Sequence, residues 1–437
     1  MLIQTSPQIL NTPTMKKINK IAIIGAGTAG LATAILFARQ EIQVTLFEKA
    51  EQLQPVGAGL LLQPAGLAVF EHLGILENTL TLGAMVTGLE GRLANQRLLV
   101  NSHYREVHDK HYGIGIHRAT LCHVLKSKLE AYDAYVSWKM GHEVNRLSEH
   151  NHGITVYGQY QIQDFEENFD AVIIANGARS HLRPQAWVKV DRPYPWGAVW
   201  NIVPECQILD TQILHQFYDR SQIMMGILPT GAIPEKPHQR LSSIFWSLPT
   251  RQLDQFLNHP NKLNDLIHQI SSRWTPVSHW LEQITQNQSS SSWLSAQYRD
   301  VVMSKFGQGR LGVIGDAAHA MSPQLGQGAN MALLDAWALG QALQQFPDHR
   351  IEWNKFWQHY HQLRYSSTQF YQSLSRLLTP LYQSDSTWTG PFRDFSFYWM
   401  YQIPYLRKQM AITISGLKTN PLHHLDYSDV AQYKSKI

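Results

Sequence analysis

Residues 311–330 can fold in few ways. The apolar run 311–314 reads as a short strand, and it ends in Gly315-Asp316. A turn of small residues follows, after which Pro323, Gly326 and Gly328 open a helix over 329–343. A strand with an acid at its tip, joined to a glycine-rich helix start, forms a cradle for a polyhydroxylated, phosphorylated ligand. Asp316 can accept hydrogen bonds from hydroxyl groups. The first N–H groups of the helix have no intrahelical acceptor and favour anionic oxygens.

A second unit of this kind stands near the N-terminus. Ile21-Ala-Ile-Ile-Gly25-Ala-Gly27-Thr28-Ala29-Gly30 reads as a buried strand running into a helix. Gly25 permits the tight turn, Gly27 lets backbone approach a pyrophosphate, and Gly30 lets helix and strand pack closely. Val44-Thr-Leu-Phe-Glu48 supplies a parallel strand whose acidic tip lies 18 residues after Gly30 (48 − 30), where a carboxylate can accept from an adenosine ribose. Lys49 follows it. This fingerprint serves NAD or FAD. Gly315-Asp316 decides for FAD, because a dinucleotide held through a distant second strand is the long one with a ribityl tail.

At 437 residues the chain can form two or three structural units with a sizeable core. Its 44% hydrophobic and 16% charged composition is that of a globular protein. A net charge of +4, with no dense Lys/Arg run, excludes a nucleic-acid partner. Cys122 and Cys206 are the only cysteines, which points to a reducing cytoplasm without disulfides. The uncharged stretches 21–38 and 53–70 are long enough to raise the question of a membrane span. The first holds Gly25, Gly27 and Gly30, and the second Pro55, Gly57, Gly59, Pro64 and Gly66, so both read as buried strand–turn–helix segments. No integral membrane segment is expected. Residues 1–14 carry no Lys or Arg and read as a disordered leader.

The expected fold is α/β: a Rossmann-like FAD-binding domain, discontinuous over 15–80, 113–185 and 301–350, with a mixed β-sheet substrate domain inserted. The period-two patterning of 186–300, with 81–112, supplies that sheet. Residues 351–437 read as a helical C-terminal region. Its aromatics include Phe392, Phe395, Phe397, Tyr398, Trp399, Tyr401 and Tyr405, which are read as packing against the other domains.

These motifs resemble those of the single-component (class A) FAD-dependent monooxygenases, the p-hydroxybenzoate hydroxylase-like family. The resemblance covers about 15–345. Residues 312–330 look like the family's second FAD motif, with Ala329 and Asn330 completing it. Gly57-Ala-Gly59, followed by Gln63-Pro64-Ala-Gly66, looks like the loop beside the flavin ring. Gly115-Ile-His-Arg118 looks like the helix start whose arginine reaches the ribityl or pyrophosphate region. Asp170-Ala-Val-Ile-Ile-Ala-Asn176-Gly177 matches a motif tied to both FAD and reduced nicotinamide, but the family has Asp-Gly where this chain has Asn176-Gly177. A neutral amide thus replaces a carboxylate.

The resemblance implies non-covalent FAD, NAD(P)H as reductant, and O2 adding to the flavin as a C4a-hydroperoxide that hydroxylates an aromatic or related small molecule. It places the turn from Pro323 to Gly328 against the ring. The flavin carries the chemistry, so no side chain is assigned as catalytic and His319 reads as structural. A cytoplasmic monomer or homodimer is expected. The alternatives are a flavoprotein reductase or dehydrogenase of the same cofactor fold, or a flavin-holding protein with impaired nicotinamide use. Candidate pocket aromatics on the inserted sheet are Trp196, Trp200, Phe217, Phe245 and Trp246, with Met225.

Overall fold

The computed structural model describes residues 17–53, 58–258, 260–287 and 293–432, so the leader read at 1–14, with Pro55 and Gly57, lies outside the described residues. Strand β1 (Lys20–Ile24) leads into helix α1 (Thr28–Ala38) and strand β2 (Gln43–Glu48). Helix α1 is buried at every position after Thr28, so small and aliphatic residues on all sides suit it to the middle of a layer. The chain continues through β3 (Gly59–Leu62), α2 (Pro64–Leu73), α3 (Leu76–Leu82), β4 (Ala84–Val86), β5 (Gly88–Leu93), β6 (Leu98–His103) and β7 (Gly113–His117). Next come α4 (Arg118–Glu130), β8 (Val136–Met140), β9 (His142–His150), β10 (Gly153–Tyr160), β11 (Gln163–Phe169) and β12 (Ala171–Ile174).

The central segment holds β13 (Val188–Pro204), β14 (Ile213–Asp219), β15 (Ile223–Ile233), β16 (Lys236–Pro249), α5 (Thr250–Asn258), α6 (Pro260–Ser271), α7 (Thr275–Asn287) and β17 (Leu294–Met303). It is followed by β18 (Gly307–Gln308), β19 (Leu311–Val313), α8 (Asp316–His319), α9 (Gly328–Leu343), α10 (Trp353–Tyr382), α11 (Thr389–Gln402), α12 (Pro404–Ile414) and α13 (Tyr427–Ala431).

Two sheets organise the molecule. The first runs β18-β19-β12-β1-β2-β8 and is parallel except at the β18 edge. The second runs β17-β13-β16-β15-β14-β5-β6 and is antiparallel except for the β14–β5 pair. A three-stranded sheet, β3-β7-β4, lies between them, and β11-β10-β9 forms a separate antiparallel sheet. Contact between the small and large sheets is backbone-close: a Cβ on Gly115 would stand 1.8 Å from the Pro229 carbonyl oxygen.

The sequence reading differs from the structure in three places. Residues 84–86 of the stretch assigned to the substrate sheet pair with β7 instead. Helices α5, α6 and α7 interrupt the segment read as sheet from 186 to 300. They bury Leu253, Ile270 and Leu281, with Trp274 from the turn between α6 and α7, against Val199, Phe217, Met225 and Trp246. Phe217, Met225 and Trp246 are therefore core residues, because alternation along each strand turns them to the helix-covered face. Trp200 and Phe245, paired across β13 and β16 with rings 5.2 Å apart, lie on the other face, where Phe245 packs with Leu61, Val86, Leu214 and Leu228.

The third difference is at the C-terminus. Helix α10 buries Phe356, Trp357 and Tyr360 in the main core, as a packed cap would. Helix α11 does not: Phe392, Phe395, Tyr398 and Trp399 are exposed, while Phe397 is buried. Tyr405 at the start of α12 is also exposed. No helix among the described residues is long and apolar enough to cross a membrane.

Candidate functional site

Register places the ends of four parallel strands side by side. Ile24 lies opposite both Phe47 and Ile174, and Ile174 lies opposite Val313. Hydrogen bonds continue past the strand ends, from Gly25 N to Phe47 O (2.7 Å), Ala175 N to Ile24 O (2.8 Å) and Ile314 N to Ile174 O (2.9 Å). Gly25, Glu48, Asn176 and Gly315 consequently stand along one edge. The chain leaves β1 toward β2 on one side and finds β12 on the other, which makes this edge the switch point where open α/β sheets bind ligands.

The glycines here serve two different ends. Gly25 has φ +106°, and a Cβ on it would lie 2.6 Å from Ala175 O. On Gly30 a Cβ would meet Gly25 O at 1.9 Å. Both are needed by the protein itself. Gly27 and Gly177 face nothing within 4 Å, while the nearest atom to a Cβ on Gly328 is Asp316 Oδ1 at 3.8 Å. Those three keep space open.

Thr28 and Ala29 begin α1, whose N-cap Gly27 supplies no side-chain cap, and Gln327 likewise leaves α9 uncapped by a side chain. Two helix starts with unclaimed donors thus open on the same edge. Ala29 also joins the two motifs, since a Cβ on Gly315 would stand 3.0 Å from the Ala29 Cβ. Asn176 Oδ1 is buried without a partner among the described residues. Open glycine faces, uncapped helix starts and this orphaned buried acceptor fit a phosphorylated, hydroxylated cofactor such as FAD.

Glu48 has a task that the sequence did not reveal. Its Oε2 accepts from Ala26 N at 2.9 Å and its Oε1 from Ala50 N at 3.0 Å, so the carboxylate shapes the glycine turn as well as facing the edge. Lys49 is exposed beside it. Arg118 is exposed at the start of α4, where His117 Nδ1 caps by accepting from Ala119 N (3.2 Å). Burial raises the pKa of the Cys122 thiol; Arg118 and Glu48 act on the same thiol in opposite senses, which places α4's start near β2's tip.

Asp316 is exposed at the start of α8. Pro323, Gly326 and Gly328 are exposed on the same turn. Two positions differ more from the sequence reading. Asn330 has no exposed surface and spends its amide inside the protein: it accepts from Gln63 N (2.9 Å) and donates to Leu61 O (3.2 Å) and Gly326 O (3.2 Å). Its side chain ties the turn to α2 instead of reaching outward. Gly59 packs against the large sheet, with its N–H donating to Ser243 Oγ at 3.1 Å, and a Cβ there would meet Thr230 Cγ2 at 2.3 Å.

Beneath the turn lies a buried cluster centred on Asp335. Its Oδ2 accepts from Gly315 N (2.8 Å) and meets His319 Nε2 at 2.5 Å, while its Oδ1 accepts from Arg364 Nε at 2.7 Å. His319, Asp335 and Arg364 are all at most 2% exposed. Burial pushes the Asp335 carboxyl up, but His319 and Arg364 outweigh it and hold the group well below the usual carboxylate range. His319 is thereby structural, as its place in the turn implied. Sequence reasoning missed Asp335, although a lone acid inside the apolar helix 331–343 was a usable signal. Arg364 carried no such signal, because only the fold brings α10 to α9.

Comparison with known proteins agrees with this geometry. Residues 19–350 match the family described as FAD binding domain. The chain is 25% identical over 336 residues to 3-amino-4-hydroxybenzoate 2-monooxygenase of Streptomyces cremeus, covering 75% of this chain and 79% of that protein. It is 24% identical over 331 residues to 2-heptyl-3-hydroxy-4(1H)-quinolone synthase of Pseudomonas aeruginosa, covering 74% and 80% respectively. The crystal structure of PqsL from P. aeruginosa in complex with 2-aminobenzoylacetate shares the fold. Its TM-score is 0.74 at 20% identity, over 86% of this chain and all of that one.

Proposed function

We propose, from the premise that this chain belongs to the FAD binding domain family and is an FAD-dependent monooxygenase, that it hydroxylates an aromatic small molecule held over the strand-end edge. The observation that carries this reading is the meeting of Gly25–Gly30, Asn176-Gly177 and Gly315-Asp316 at one edge, beside a sheet with an apolar face. The relatives named above act on a hydroxylated aminobenzoate and make a 4(1H)-quinolone, so hydroxybenzoates and quinolones are the first substrates to try.

Bound FAD supplies the redox chemistry, with NAD(P)H as the reductant and O2 as the source of the transferred oxygen. The residues of the chain bind, orient and exclude water. Backbone N–H groups at Gly27 to Gly30 hold the pyrophosphate, helped by the α1 dipole. Glu48 accepts from the adenosine ribose with its remaining lone pairs, while Lys49 and Arg118 offer positive charge at the same edge. Asp316 accepts from ribityl hydroxyls. The N–H groups of Gly328 and Ala329 would stabilise negative charge on the ring system, in a turn that Pro323, the Gly326 N–H bond to Pro323 O (2.9 Å) and the Asn330 amide maintain. The inserted sheet is the substrate-binding unit: Trp200, Phe245, Leu214 and Leu228 form an apolar wall that keeps water from the reacting atoms. The chain is read as a monomer or homodimer, and cytoplasmic residence accords with its two free cysteines.

The purified protein is expected to be yellow, and acid precipitation should release the flavin into the supernatant. With a matching substrate, NAD(P)H oxidation should accelerate and the product should gain one oxygen atom from labelled O2. Substrate-stimulated flavin reduction without label in the product would favour a reductase instead.

Asn176 gives a sharper test. Restoring the family acid with Asn176→Asp adds a negative charge to those of Glu48 and Asp316 at the edge, where repulsion from an anionic ligand at close range is about 1–4 kcal/mol. FAD binding should weaken at least about fivefold. Faster reduction by NAD(P)H in stopped-flow, with unchanged FAD affinity, would show that the amide instead limits the nicotinamide step.

A further inference from the structure

Helix α11 is turned inside out for a surface helix. Its buried side consists of Thr389, Gly390, Arg393 and Phe397, with a guanidinium in the core. Trp388, Phe392, Phe395 and Trp399, spaced four, three and four residues apart on one stripe, face outward with 53–67% exposure. The stripe continues past the corner at Ile403 (46%) to Tyr405 (66%) on α12. These rings are mutually supported rather than loose: Trp388 meets Phe392 edge-on at 6.1 Å, and Phe395 meets Trp399 at 6.4 Å. A contiguous apolar face of this kind on a folded chain marks an interaction surface.

We propose that α11 and α12 seat this protein on the surface of an anionic lipid bilayer. Three features select that occupant. The face is rich in Trp, Phe and Tyr, and the amphipathic Trp and Tyr rings favour the headgroup level. The 14 residues of α11 span about 21 Å, shorter than a hydrocarbon core of about 30 Å, so the helix lies in the interface plane.

Charge is the third feature. Exposed Arg97 stands 5.9 Å from the Tyr398 ring, and exposed Lys408 follows Tyr405 by three positions on α12. Neither is ion-paired among the described residues. The acids nearest the aromatic face are engaged, Asp394 with Arg393 at 2.7 Å and Glu106 with Arg407 at 3.5 Å, and Lys408 borders a groove that also holds Lys110, His108 and Asp426. The rim therefore presents uncompensated cations beside the aromatic face, complementary to anionic headgroups. Pairing of two copies through the same face would bring like cations together. The surface is separate from the cofactor edge, so the inference stands independently of the reaction.

The test uses the full-length FAD-loaded protein with vesicles of phosphatidylcholine, alone or mixed with phosphatidylglycerol. Co-flotation is expected with the mixed vesicles, weaker with the neutral ones and reduced by salt. The bound fraction should fall at least about tenfold in the variant Phe392→Ser, Phe395→Ser, Trp399→Ser, and severalfold in Arg97→Glu, Lys408→Glu, with flavin content unchanged. Should the triple variant be unstable, quenching of wild-type tryptophan emission by brominated acyl chains reports the same contact. Absence of both flotation and quenching with anionic vesicles overturns the proposal. So does a concentration-dependent dimer abolished by the serine substitutions, since the face would then be an interface between copies.

Discussion

Replacing Asp335 by alanine is expected to lower stability by about 3–5 kcal/mol, because Arg364 is left as a buried charge without its partner. Both side chains are at most 1% exposed, so water cannot take the carboxylate's place. Gly315 N also loses its acceptor, and with it the turn that presents Asp316. Urea unfolding of the apoprotein should show the loss. Adding Arg364→Met should recover much of it, since an apolar side chain of similar length removes the unpaired charge. A loss under about 1 kcal/mol would show that the cluster is not a structural tie.

The same carboxylate predicts a pH dependence. Its pKa in the folded chain lies below the ordinary value of about 4, so its stabilisation is present above that value and disappears as pH falls toward the folded one. Wild type should therefore lose stability more steeply than Asp335→Ala below about pH 4. Parallel acid profiles of the two proteins would contradict the assignment.

Gly27→Val is expected to separate folding from cofactor binding. Gly27 has φ −79° and ψ −173°, which any residue adopts, and a Cβ there would meet no atom of non-neighbouring residues within 4 Å. Apoprotein stability should change by no more than about 0.5 kcal/mol. A valine would occupy the space reserved for the pyrophosphate, and overpacking of about 1–3 kcal/mol translates into roughly 5- to 150-fold weaker FAD binding. Gly30→Ala, with its Cβ driven onto Gly25 O at 1.9 Å, should instead damage the fold itself. Flavin fluorescence titration and thermal unfolding of the two variants would distinguish these effects. Wild-type FAD affinity in Gly27→Val would remove Gly27 from the cofactor cradle.

Much of the cofactor edge was legible because it rests on local backbone requirements. Gly25, Gly30 and Gly315 sit where turn geometry or strand–helix contact demands glycine, and such demands are written in adjacent residues. The strand-tip position of Glu48 was legible, but not its bonds to Ala26 N and Ala50 N, which depend on how the turn folds over it. The side-chain direction of Asn330 was not legible: motif position says nothing of it, and its partners Gln63 and Leu61 are more than 260 residues distant.

By itself, the sequence determined the two strand–turn–helix units, their order and the type of cofactor they hold, because local periodicity and glycine spacing act within a few residues. Only the tertiary structure decided which side of each element meets which neighbour. That choice sent Trp246 and Phe217 into a core under α5–α7 while leaving Trp200 and Phe245 on the other face. It brought Arg364 onto Asp335 and turned the aromatic stripe of α11 outward. Burial of a face depends on what packs against it, and those partners are set by contacts between residues far apart in the chain.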